Sequence, residues 1–212
     1  MMKQIQAGSG ALFAAFVFVH LINTFLAAFG IAAYDGFQGA VRVVYQAFFI
    51  EMLLLGALLV HLVVGITRIV IEPKRSLSTR ARWHRYAGFF LLFVIGGHIT
   101  AVRGSSWFYG VFPGFEGLAF SIDYAPYYFV PYYFLLGVAG FYHAINGLSV
   151  GLPRLGFKLA LSNRALRLST SAVAVAMGAA LLGFAGTWTD VGQPYESEFA
   201  KLALEILRGF TT

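Results

Sequence analysis

The chain has 212 residues, 59% hydrophobic and only 11% charged, with a mean hydropathy of +0.75, which is too little charge to cover a soluble domain of this length. It has no cysteine, which excludes disulfides, thiolate zinc sites and cysteine-ligated iron–sulfur clusters within this subunit and leaves metal chemistry to His, Met or carboxylates. The net charge of +6 raises nucleic acid as a partner, but the placement of the basic residues gives that charge another meaning.

In chain order, five stretches reach the roughly 20 apolar residues that a bilayer-crossing helix needs: 9–33, 46–71, 86–104, 127–150 and 168–188. None alternates like a barrel strand, so helices, which satisfy their own backbone hydrogen bonds in lipid, are expected. The first stretch runs on into "FLAAFGIAAY" without a small-residue cleavage site, so no cleavable signal peptide is expected.

The connecting segments separate by charge. Arg68, Lys74, Arg75, Arg80, Arg82 and Arg85 lie between the second and third stretches, and Arg154, Lys158, Arg164 and Arg167 between the fourth and fifth; with Lys3 they make 11 of the 15 Lys and Arg residues. The other side holds Arg42, Arg103, Lys201 and Arg208, diluted by Asp35, Glu116, Asp123, Asp190, Glu196, Glu198 and Glu205. The positive-inside rule predicts a cytoplasmic N-terminus and an extracytoplasmic C-terminus, in a bacterial inner membrane or its mitochondrial equivalent. The basic residues then report topology, and a nucleic-acid partner is not needed.

The segment "SSWFYGVFPGFEGLAFSIDYAPYYFVPYYF" has the aromatic density of a membrane–water interface. In the tail, Phe199, Leu202, Ile206 and Phe210 share a helical face, with Glu198, Lys201, Glu205 and Arg208 largely opposite; it is expected to lie along the outer surface or against a neighbouring subunit. The expected architecture is all-α and integral to the membrane: a five-helix transmembrane bundle over 1–190 and an amphipathic extracytoplasmic tail over 191–212, with no internal repeat or linker.

Four histidines stand inside these stretches: His20, His61, His98 and His143, one on each of the first four. Ionisable residues within a membrane are costly and face the bundle interior for a functional reason, although a neutral imidazole can also merely bond across helices. His61 lies 7 residues before Arg68 and His143 11 before Arg154, whereas His98 lies 13 after Arg85 and His20 17 after Lys3. At about 1.5 Å per residue the first two sit roughly 5–10 Å nearer the cytoplasmic boundary. They sort into an inner pair, His61 with His143, and an outer pair, His20 with His98, as two stacked bis-histidine b haems require. Gly65, Gly140 and Gly147, one turn from a ligand on its own helix, suit the approach of a flat macrocycle, or else helix packing. Arg68 and Arg103 read as haem propionate anchors or as snorkelling interfacial charges. Met52 and Met177 read as lipid-facing or core residues rather than ligands.

The motifs "GALFAAFVFVHL", "HLVVGI", "WHRYAGFFLLFVIGGHI" and "FYHAINGL", with "RLSTS" opening the fifth helix, resemble the cytochrome b membrane anchor of succinate:quinone and quinol:fumarate oxidoreductases, in its single-chain, five-helix, dihaem form. They cover most of residues 9–175, and the third is the most specific, with Arg85 and Gly88 ahead of His98. The resemblance implies haem ligation by His20 and His98 on one level and by His61 and His143 on the other. Among the cofactor-binding residues it also includes Arg85. It implies a flavoprotein and an iron–sulfur protein docked on the cytoplasmic face, with electrons passed through two b haems to membrane quinone. Phe141 stands where some dihaem members carry an acidic proton relay. The loop 104–126 and the extension beyond 188 are unusual for the family, which leaves room for an added partner there.

The chain itself has no flavin fingerprint, so it is expected to be a non-catalytic electron-transfer and quinone-binding subunit. Glu51, the only carboxylate within a predicted span, is the candidate proton donor or acceptor at an outer quinone, or else a partner of Arg42 or Arg103. His84, 14 residues before His98, is expected to be interfacial or to serve an inner quinone, not to ligate iron. Two other readings stay open: a dihaem anchor of another respiratory oxidoreductase, and a haem-free membrane scaffold or transporter. One histidine on each of four consecutive helices weighs against the first, and the lack of acidic neighbours against the second.

Overall fold

The computed structural model describes residues 1–72 and 76–209; Lys74 and Arg75 of the basic segment and Phe210 of the tail's apolar face lie outside the described residues. The protein is about 85% helical, with no strand among the described residues. Among the described residues, five helical segments are long and apolar enough to cross a membrane. They are α1 (Met2–Leu26) with its 3-10 extension Ala27–Phe29, α3 (Phe48–Ile71), α4 (Thr79–Ile99) continued by a π turn Thr100–Gly104 into α5 (Ser105–Tyr109), α7 (Pro126–Gly151), and α8 (Asn163–Phe184).

These segments follow the apolar runs and differ at their ends for identifiable reasons. The first stops at Phe29 because Gly30, at φ 91°, turns the chain; only glycine enters that region freely. Directly after it comes α2 (Ile31–Tyr45), a helix that hydropathy alone does not signal. α4 begins at Thr79, well before residue 86, because Ser78 Oγ accepts the Ala81 amide at 3.3 Å and arginine is a good helix former. Ser162 starts α8 in the same way, accepting the Ala165 amide at 3.1 Å. The aromatic outer segment holds α6 (Phe115–Tyr124), and the tail forms α9 (Glu198–Gly209).

The chain packs as two compact units. One comprises Met1–Leu21, Val41–Leu92 and Gly137–Ala174; the other comprises Ile22–Ala40, Phe93–Leu136 and the chain from Val175 onward. The second unit is centred on Tyr34, Phe115 and Phe184, whose rings meet at 4.8–5.9 Å, with Ala27, Ala119, Ile122 and Ala180 around them. A Cβ on Gly183 would run into the backbone of Ala27, so α8 lies directly on the end of the first segment. Acidic side chains tie this unit together. Asp35 Oδ1 accepts the Phe115 amide at 2.9 Å, Glu116 Oε1 the Gln193 amide at 2.8 Å, and Asp123 Oδ2 the Tyr195 hydroxyl at 2.7 Å. That last bond raises the Tyr195 hydroxyl above its ordinary pKa. Phe199 of α9 lies against Gly117 of α6 and Ala200 is fully buried, so the start of the tail's apolar face is covered by this chain, while Ile206 and Leu207 are exposed.

In the first unit Arg80, at the start of α4, is a hub. Its Nε donates to the buried Asn146 side-chain oxygen at 2.5 Å, its Nη1 to the Leu161 carbonyl at 2.7 Å and its Nη2 to Ser149 Oγ, while its own carbonyl accepts from the Tyr142 hydroxyl at 3.3 Å. One guanidinium thus binds α4, α7 and the segment before α8, which a lysine's point charge cannot do. Arg80→Ala strands the Asn146 oxygen, only 2% exposed at the residue level, and should cost about 1–3 kcal/mol; Arg80→Lys should recover little. Thermal unfolding in detergent measures both.

Candidate functional site

His61 of α3 and His143 of α7 stand close together in the first unit. Their ring centroids are 6.0 Å apart and their planes cross at 89°. Each ring is held the same way. His61 Nδ1 lies 3.1 Å from the Gln6 carbonyl oxygen of α1, and His143 Nδ1 lies 3.1 Å from the His84 carbonyl oxygen of α4. A carbonyl only accepts, so Nδ1 carries the proton in both rings and Nε2 keeps its lone pair. A backbone carbonyl on the second nitrogen is how a metal-ligating histidine is commonly oriented.

Two glycines make these bonds reachable. A Cβ at Gly10 would lie 2.7 Å from His61 Cε1, and one at Gly88 would lie 2.9 Å from His143 Cε1. Each glycine is one turn after the accepting carbonyl, so the imidazole lies over the glycine and reaches the oxygen beneath it. These are not the glycines that spacing along the ligand's own helix singles out. Gly65 faces the Gln6 side chain, Gly147 faces His84, and Gly140 has nothing within 4 Å. The signal that finds the right pair is a shared interval: Gly10 precedes His20 by ten residues, as Gly88 precedes His98.

Gln6 has a second task. Its side-chain oxygen accepts from Arg68 Nη1, and Arg68 also pairs with Glu72 at 2.8 and 3.0 Å. His61, Gly65, Arg68 and Glu72 are thus spaced along one face of α3. The Arg68 hydrogen bond holds the exposed Glu72 carboxyl below the usual glutamate range. The propionate role expected for Arg68 therefore competes with two protein partners.

His84 belongs to the same cluster. Its ring stacks on His143 at 4.1 Å and 6°, and its Nδ1 is buried with no hydrogen-bond partner. Its 14-residue distance from His98 separates it from that ligand position and leaves an interfacial or inner-quinone role expected from sequence, with no sign of its place beside His143. His20 is half-buried in the first unit and stacks on Phe16 at 5.7 Å. His98 is half-buried in the second unit, two residues before the π turn begins. Within that turn Arg103 donates to Ser106 Oγ and sits 5.1 Å over the Trp107 ring. Arg85 is exposed on α4. Glu51 lies in the first turn of α3, nearer the helix start than the apolar run suggests, because the helix begins at Phe48. Phe141 packs edge-on against Phe18 at 6.0 Å.

No group of three or more His, Asp or Glu side chains among the described residues is arranged to hold a metal ion. Two imidazoles with free Nε2 atoms do fit a macrocycle that brings its own equatorial ligands. Two nitrogen–metal bonds of about 2.0 Å each plus two ring half-widths come to roughly 6 Å between ring centres, so the 6.0 Å His61–His143 spacing suits such a group where both Nε2 atoms point to a common centre. Compared with protein-family models, curated proteins and solved structures, the chain matches none.

If Gly10 and Gly88 exist to admit the rings, Gly10→Ala and Gly88→Ala should each lower stability by about 1–3 kcal/mol through overpacking. Gly140→Ala, where the new methyl meets nothing within 4 Å, should change little. Thermal unfolding of the three variants in one detergent makes the comparison.

Proposed function

We propose that the protein is a membrane-embedded cytochrome b subunit that carries electrons between an iron–sulfur partner and quinone, of the kind that anchors succinate:quinone or quinol:fumarate oxidoreductases. The observation that carries this reading is the close pair His61 and His143, 6.0 Å apart, each fixed by Nδ1 to a helix carbonyl and each keeping Nε2 as an acceptor.

The surroundings support it. Phe49, Val70, Phe93 and Val175 on the long helices are 73–90% exposed. Leaving side chains of this size in water costs about 1.5–3 kcal/mol each, so lipid is their natural solvent. Arg82, Arg85, Arg154, Lys158, Arg164 and Arg167 are exposed near helix ends, which suits a cytoplasmic face and gives acidic surfaces of a flavoprotein and iron–sulfur pair something to dock on. The shared interval in α1 and α4 supports the pairing of ligands. Gln6, Gly10 and His20 repeat as His84, Gly88 and His98, four and then ten residues apart. On that repeat His20 and His98 are equivalent positions of the sequence, which is the basis for proposing them as the second ligand pair.

When bound, b-type haems supply one-electron transfer at a potential set by their axial ligands and surroundings. The chain's own residues do the rest. His61, His143, His20 and His98 hold and orient, Gln6 and the His84 carbonyl fix the inner tautomers, and Arg68 steadies Gln6. Arg103 lies five residues after His98, and Glu51, half-buried at the start of α3, is the candidate proton donor or acceptor for an outer quinone. The orientation follows from the charges, with the N-terminus cytoplasmic.

Haem content per polypeptide, by pyridine haemochrome on the purified complex, tests this. Two b haems per chain, with a flavoprotein and an iron–sulfur protein co-purifying, is the expected result. Absence of haem would overturn the reading and return the four histidines to packing or ion binding.

A further inference from the structure

The hydrogen bonds of Arg80 surround one candidate ligand, His143, without reaching it. The Tyr142 hydroxyl donates to the Arg80 carbonyl at 3.3 Å. Arg80 Nε donates to Asn146 Oδ1 at 2.5 Å, and Nη2 donates to Ser149 Oγ. These three α7 residues bracket His143 in the chain and fall on one stripe of the helix beside it. On α4 the matching stripe is Arg80, His84 and Gly88, four residues apart. The His84 carbonyl takes the His143 Nδ1 proton at 3.1 Å. A Cβ at Gly88 would lie 2.9 Å from His143 Cε1, so the ring needs that space. All of these residues belong to the first unit.

What this arrangement controls is register. A slip of α4 along α7 by one residue's rise, about 1.5 Å, stretches or bends a bond that at 3.1 Å is already near the long end of its range. Gly88 has no side chain to resist a slip, and the parallel stack of His84 on His143 at 4.1 Å is not directional. The Arg80 guanidinium is directional, because its donors form a rigid planar fork. Asn146 is only 2% exposed, so its oxygen has no water to turn to and the fork has one seat.

The bond held in this way has chemical weight. A carbonyl on the second nitrogen raises the basicity of a ligating imidazole, and the axial ligand is one of the levers on a haem's potential. Resting on the cytochrome b reading, we propose that Arg80 is a positioning residue. It fixes α4 on α7 so that the His84 carbonyl keeps its hold on His143 Nδ1, and so sets the potential of the inner haem, the one held by His61 and His143. The other ligand of that haem, His61, leans on the Gln6 carbonyl of α1 instead, so Arg80 acts through one ligand only.

The test uses the purified complex as wild type, Arg80→Gln, Asn146→Asp and Tyr142→Phe. Glutamine keeps a donor and loses the fork; aspartate keeps an acceptor for Arg80; phenylalanine removes one hydroxyl. Haem content, midpoint potential and the low-spin EPR signal are read for each haem, the inner one identified by its loss in His61→Ala. In haem-free protein, nitrogen NMR of the His143 ring shows which nitrogen carries the proton. With both haems loaded, Arg80→Gln should raise the midpoint potential and alter the EPR signal of the inner haem alone. Tyr142→Phe should give a smaller change in the same direction, and Asn146→Asp wild-type values. In the haem-free protein, His143 should pass from the Nδ1-protonated form to a mixture of tautomers in Arg80→Gln. A fully loaded Arg80→Gln complex with wild-type potentials and EPR would overturn the proposal and leave Arg80 a structural brace. Equal shifts of both haems would also overturn it, since they mark a general loosening. If Arg80→Gln does not assemble, Tyr142→Phe decides by the same criteria. A wild-type complex with no haem would sink the cytochrome reading instead, and the His143 tautomer would still decide whether Arg80 positions the ring.

Discussion

A helix carbonyl that already accepts one backbone hydrogen bond has a second lone pair, and the candidate site depends on that spare capacity. An imidazole placed among apolar helices needs a partner for its N–H. Gln6 and His84 supply one to His61 and His143 through backbone oxygens. A side-chain acceptor could rotate away or take up a proton; a helix carbonyl does neither. The tautomer, the ring plane and the availability of Nε2 follow from this choice, and the glycines at 10 and 88 follow from it too, since a methyl there would stand where the ring must lie.

The same constraint explains how the first unit is braced. The two accepting carbonyls sit near the starts of α1 and α4, where helix ends fray unless tied down. Arg68 bonds the Gln6 side chain on α1, and Arg80 locks the start of α4 to α7 through Asn146 and Ser149. Each carbonyl is therefore steadied by an arginine of a neighbouring turn or helix. In the second unit the bracing is done by carboxylates and aromatic rings: Asp35 on the start of α6, Tyr34, Phe115 and Phe184 in its core. The acidic residues that set the charge asymmetry of the chain there do structural work.

Much of the helical layout was legible because length and apolarity are local properties, and the five long segments coincide with the hydropathy maxima. α2 and α6 were not, because short helices whose buried face is a few aromatics, such as Tyr34 or Phe115, look like interfacial loops when read alone. The histidines stood out individually. What spacing on a single helix cannot convey is which residue of another helix faces the ring. Glycines were therefore sought on the ligand's own helix, at 65, 140 and 147, when those under His61 and His143 lie across from it, at 10 and 88. His84 reads from the sequence as interfacial or serving an inner quinone, with no sign of its contact with His143, which is 59 residues away along the chain.

The proposed reading has His61 and His143 hold one iron between them, and their ring planes cross at 89°. Perpendicular imidazole planes leave two iron d orbitals nearly degenerate and give a ferric low-spin centre a highly anisotropic g tensor; parallel planes give a rhombic one. Low-temperature EPR of the oxidised complex therefore tests the claim directly. The account predicts a highly anisotropic low-spin signal that disappears in both His61→Ala and His143→Ala while the signal of a second haem survives. A rhombic signal from that centre, or an anisotropic signal indifferent to both substitutions, would contradict it.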